Sequence, residues 1–115
     1  MEIVVLKEIE GLAQNFLEAP RTLTKDSSLE IIYDYEMESG NYGEKSITFD
    51  GVEDYRHVDE SNLVADMIKA YNSIAEVIDS SWLSNELISR GYKHYIIYFD
   101  EYGAYEVLAK TYRLE

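Results

Sequence analysis

Carboxylates and histidines are the side chains of this chain with the greatest chemical reach. Along Glu30–Gly51 (EIIYDYEMESGNYGEKSITFDG), Glu30, Asp34, Glu36 and Glu38 share a parity, and Glu44 and Asp50 join them across a turn. Clustered carboxylate oxygens suit a hard divalent cation, and paired carboxylates suit acid–base chemistry of the glycosidase kind. On a strand, however, positions two apart lie about 6.6–6.8 Å from each other. That is too wide for shared coordination, and no D-x-D-x-D-G loop makes the oxygens converge, so neither metal nor cofactor is expected. The histidines, His57 in YRHVDE and His94 in a strand, are the groups that ordinarily titrate near neutrality. With Arg56 and Asp59 they would furnish a polar pocket for a small enzyme or ligand-binding domain. No G-x-S-x-G, P-loop, G-x-G-x-x-G or H-E-x-x-H is present. Cysteine is absent, which removes disulfides and thiolate catalysis together. No catalytic residue is assigned, and the expectation is a non-enzymatic protein.

Charge says more than motif. Ten Lys and Arg against 23 Asp and Glu leave a formal −13. A field of that sign repels phosphate backbones and argues against direct nucleic-acid binding. Residues 26–60 hold eleven acids and two bases, so −9 of the charge falls in under a third of the chain. The chain also carries eleven tyrosines. Most fall on predicted strands, where aromatic rings suit a pleated, half-buried surface. Tyr42 and Tyr102 fall on predicted hairpin turns and read instead as contact residues, since tyrosine supplies stiff, amphipathic interface area.

Periodicity gives the secondary structure that carries these groups. A chain of 115 residues, 46% hydrophobic and without a linker or repeat, reads as one domain over 1–115. No apolar run reaches the ~18 residues of a membrane span, and a cytoplasmic location is expected. Ile3, Leu6, Ile9, Leu12, Ala13, Phe16 and Leu17 approach helical spacing over 2–18; a strand over Glu2–Lys7 followed by a helix over Leu12–Glu18 is the rival. Two strands, 29–38 and 45–56, follow, joined by Ser39–Gly43. Leu29, Ile31, Tyr33, Tyr35 and Met37 then share a face with Ile47 and Phe49, and the acids take the water side. Gly51 and Val52 suggest a bulge. Val64, Met67, Ile68, Tyr71, Ile74, Ala75 and Ile78 form a helical stripe, predicted to bury against the hairpin. A short helix from Trp82 to Arg90 ends at Gly91. Strands 92–99 and 104–113 close the chain, with Tyr95, Ile97, Phe99 and Leu108 on one face and Ile96, Tyr98, Tyr105 and Val107 on the other. The predicted class is α+β: an antiparallel sheet of about four strands in two hairpins, packed with helices in the order α-ββ-α(α)-ββ.

In its size, acidity, lack of cysteine and aromatic strands, the whole chain resembles small bacterial immunity and antitoxin-type proteins. The resemblance implies a basic protein partner, such as a toxin, met by the acidic face of Glu30, Asp34, Glu36, Glu38, Glu44 and Asp50 with Tyr42 and Tyr102. Long-range attraction between opposite charges supplies the fast association such a role needs. Two other classes stay open: an enzyme or ligand-binding domain using Arg56, His57, Asp59 and His94, and a structural subunit or homodimer joined along a strand edge.

Overall fold

The computed structural model describes residues 1–9 and 19–114. Its strands are β1 (Ile3–Glu8), β2 (Arg21–Lys25), β3 (Ser28–Glu36), β4 (Tyr42–Asp50), β5 (Asp54–Val58), β6 (Ser73–Val77), β7 (Lys93–Phe99), β8 (Gly103–Ala109) and β9 (Thr111–Leu114). They form two antiparallel sheets, one of five strands in the order β1-β6-β7-β8-β5 and one of four in the order β2-β3-β4-β9. Helix among the described residues is limited to α1 (Asn85–Ser89) and two 3₁₀ segments, Glu60–Asn62 and Ala65–Ala70. The architecture is therefore a β-sandwich, not the four-stranded α+β domain expected from the sequence.

The β3–β4 hairpin pairs Leu29 with Phe49 and Ile31 with Ile47, so these side chains share the inner face. Opposite them the five-stranded sheet presents Ile74, Tyr95, Ile97, Phe99, Tyr105 and Val107, and the two sets form one buried core. Tilted ring pairs stitch the sheets together: Tyr33 on Phe99 at 5.8 Å and Phe49 on Tyr95 at 5.5 Å between centroids. The other face of the five-stranded sheet carries a second core, in which Ile3, Ala75, Val77, Ile96, Tyr98 and Ala104 lie under Met67 and Ala70 of the second 3₁₀ segment. The Tyr98 hydroxyl donates to Glu60 at 2.6 Å and ties the first 3₁₀ segment to the same face. With layers on both sides, β7 and β8 are apolar at both parities for a physical reason.

Several elements differ from expectation. The predicted strand 45–56 is two strands in different sheets. Gly51, at φ +66°, turns the chain from β4 into β5, and Lys110 beside it takes the chain back to β9, its N–H donating to Asp50 O at 3.1 Å. What reads as a bulge is a corner between layers. The final hairpin turns in three residues, Asp100 to Tyr102, because Phe99 already pairs with Gly103. Tyr105 and Val107 therefore face the sandwich core with Tyr95 and Ile97, and Leu108 lies on the opposite face. Gly103 suits that position: its φ is +89°, and a Cβ would sit 2.0 Å from the Val58 carbonyl oxygen.

Residues 3–8 are the strand of the rival reading, paired with β6; the expected helix over Leu12–Glu18 lies outside the described residues. The stripe from Val64 to Ile78 is not one helix but a 3₁₀ segment followed by β6. Met67, Ile74 and Ala75 are buried, whereas Val64, Ile68, Tyr71 and Ile78 are exposed. Ile68 is 57% exposed, so Ile68→Ala should shift unfolding stability by less than about 0.5 kcal/mol. A loss of 2 kcal/mol or more in urea denaturation, the usual range for a buried isoleucine, would return Ile68 to the core.

Candidate functional site

On the outer face of the five-stranded sheet, beyond the second core, strands β5, β7 and β8 bring charged side chains together. In the order β7-β8-β5, Ile96 and Arg56 both pair with Glu106. Glu106 thus lies between Arg56 and the outer side chains of β7, which include His94. The Glu106 carboxylate is 0% exposed and His94 2% exposed. Arg56 donates to it from Nε at 2.8 Å and from Nη2 at 3.2 Å, and His94 Nε2 lies 2.8 Å from Oε1. A carboxylate so placed accepts only, which puts the His94 proton on Nε2 and leaves Nδ1 as an acceptor. Nδ1 receives the Ser80 hydroxyl at 2.7 Å, and Ser80 Oγ accepts the Leu83 N–H at 3.2 Å. The Trp82 indole meets His94 edge-on at 5.2 Å and carries the Arg56 guanidinium on its face at 4.1 Å.

Burial alone pushes the Glu106 carboxyl up, but hydrogen bonds from His94 and Arg56, with the Arg56 charge behind them, outweigh it. The result is a carboxyl held down at about 2. Against this network lies a depression of about 170 Å³, lined by Arg56, Asp79, Ser80, Ser81, Trp82 and His94 among others. The chain thus holds a line of serine hydroxyl, imidazole and buried carboxylate that ends at a cavity.

Of the pocket residues named from the sequence, Arg56 and His94 come together and His57 and Asp59 do not join them. Alternation along β5 sends Arg56 outward and His57 to the sandwich side. There His57 Nε2 is 2.5 Å from the Tyr102 carbonyl oxygen, its ring contacts Tyr105 at 4.6 Å, and Asp59 lies 3.7 Å from Nδ1. Glu106, Ser80 and Trp82 are not among the site residues that the sequence pointed to. The available signal was Glu106 itself, a single carboxylate inside the apolar strand GAYEVLA.

The acids of the opening stretch lie on the opposite side of the molecule, on and beyond the outer face of the four-stranded sheet. They are not uniformly free. Asp34 is buried, Glu44 pairs with Arg21, and Asp50 accepts from Ser28 Oγ at 2.9 Å and from Arg113 Nε at 3.3 Å. Glu36 and Glu38 are exposed, Glu30 is half-buried, and none of the three forms an ion pair among the described residues. Glu30, Ile32, Glu44, Lys45 and Ser46 line a groove of about 250 Å³ on this face. Tyr42 is exposed beside it, pairing with Glu36. Tyr102 is partly buried and packs against the sandwich core, so the ring expected to stand out at a turn does not.

Comparisons with protein-family models, curated proteins and solved structures found no match. Function therefore has to be argued from the sites themselves. Among the described residues no group of three His, Cys, Asp or Glu converges as a metal-ligand set, and no helix is long and apolar enough to cross a membrane.

Proposed function

We propose that the protein is a protein-binding domain that engages a basic partner through the outer face of its four-stranded sheet, as an immunity or antitoxin-type protein would. The observation that carries this reading is the groove between Glu30, Ile32, Glu44, Lys45 and Ser46. Ile32 offers an aliphatic surface and Glu30 a carboxylate with no ion pair among the described residues, which together suit the apolar stem and cationic head of a lysine or arginine. Glu30, Glu36 and Glu38 add charge that no ion pair among the described residues neutralises. The net −13 supplies attraction at longer range. Binding of this kind needs no chemistry from the chain.

The test is charge removal at the positions that face water, which excludes the buried Asp34. The triple variant Glu30→Gln, Glu36→Gln, Glu38→Gln should keep or slightly raise stability, since like charges on one face repel. Its association with a basic protein captured from the native host should be slower at 0.05 M salt than that of the unaltered chain. The difference should shrink as the Debye length falls to about 3 Å at 1 M. Tyr42→Ala should act on dissociation instead, as truncation of a contact ring does. An association rate unchanged at low salt would reduce these acids to solubilising charge.

A further inference from the structure

The Ser80–His94–Glu106 line sits on the opposite sheet from the proposed partner face and plays no part in that reading. A structural brace for the sheet edge would explain Arg56, Glu106 and His94. It would not require the last hydrogen bond to come from a part-exposed hydroxyl on the wall of a cavity. We propose that Ser80 is a nucleophile for acyl transfer, with His94 as its general base and Glu106 as the group that orients and supports the imidazole.

The geometry meets the requirements of that role in turn. Nucleophile and base are 2.7 Å apart, and base and carboxylate 2.8 Å, both within the reach that proton transfer requires. The buried carboxylate fixes the tautomer in which Nδ1 is free to take the serine proton. The Leu83 N–H donates to Oγ at 3.2 Å, which supports negative charge on that oxygen as its proton leaves. The cavity of about 170 Å³ equals only a few water volumes at roughly 30 Å³ each. A short acyl group fits a depression of that size, and the substrate class proposed is a small ester.

In the acylation step the Oγ–C bond forms while the Oγ proton passes to His94 Nδ1. The ester C–O bond breaks, and the departing alcohol takes that proton. Water then attacks the acyl carbon, giving its proton to the same nitrogen. The C–Oγ bond breaks, releasing the acid and returning the proton to Ser80. No oxidant or reductant is needed, and water is the co-substrate.

Diisopropyl fluorophosphate, which phosphorylates activated serines, gives a direct readout by intact mass and peptide mapping. The unaltered chain should gain one adduct, located on Ser80. Ser80→Ala should lose it, Ser89→Ala on the exposed face of α1 should keep it, and His94→Gln should slow labelling by about 100-fold or more, the usual contribution of a positioned base. Hydrolysis of p-nitrophenyl acetate should fall in the same order. Because mapping is done on the unaltered chain, the outcome does not depend on any variant folding. No adduct, or an adduct on another residue, would show that the three groups only brace the sheet.

Discussion

Replacing Glu106 with alanine should lower the unfolding free energy by about 3–5 kcal/mol, the range for removing one member of a buried charged pair. Two groups lose their partner. Arg56 is 48% exposed and can turn to water, but His94 is 2% exposed and its Nε2–H would be left without an acceptor. The pH dependence separates this mechanism from a simple cavity. The carboxyl is held at about 2 in the folded protein against an ordinary 4.5. A lowered folded value means stability that is present above the unfolded value and lost as pH falls through the folded one. Linkage sets that contribution at about 3 kcal/mol. The difference between the unaltered chain and Glu106→Ala should thus be complete above about pH 5 and shrink towards pH 2, measured by urea denaturation across that window. A difference independent of pH would mean that volume, not charge, is what Glu106 contributes.

Phe49→Ala should be of similar size, about 3–5 kcal/mol, for a different reason. Phe49, next to the last residue of β4, is wholly buried and lies against Tyr95 of the other sheet at 5.5 Å and Tyr112 of β9 at 6.5 Å. Truncation there opens a cavity between two sheets whose backbones are held by their own ladders and so collapse little. The loss should appear at neutral pH and remain unchanged in acid, unlike that at Glu106. A loss below about 1 kcal/mol would contradict face-to-face packing of the sheets, since that packing is what buries the ring.

The first hairpin was legible because its evidence is local. Leu29 and Ile31 alternate with polar residues, Ile47 and Phe49 answer them at the right distance, and glycine and asparagine mark the turn. Gly91 was legible in the same way: at φ +90° it ends the segment after Ser89, as a residue without a Cβ can. β6 was not. Its side chains are buried on both faces, so SIAEV shows no alternation, and Met67 and Tyr71 before it complete a pattern that helix and buried strand share. The phase of β8 was missed by a single residue, because pairing at Gly103 shortens the turn and one step reverses every side chain.

The strand-rich last third, the charge and its concentration between residues 26 and 60, and the absence of cysteine chemistry are all properties of the amino-acid order alone. That order also placed Arg56 and His94 among the groups with chemical potential. That Arg56 meets His94 without His57, that Glu106 lies between them, and that Ser80 closes the line emerge only on folding. Those contacts join residues 12 to 50 positions apart. They exist because β8 lies between β7 and β5 in the sheet, and strand order follows from burying two faces at once, which no local window records. The same packing carried Asp34 and Tyr102 into partial or full burial although both alternate or turn as exposed residues do, since exposure depends on what the neighbouring layers cover.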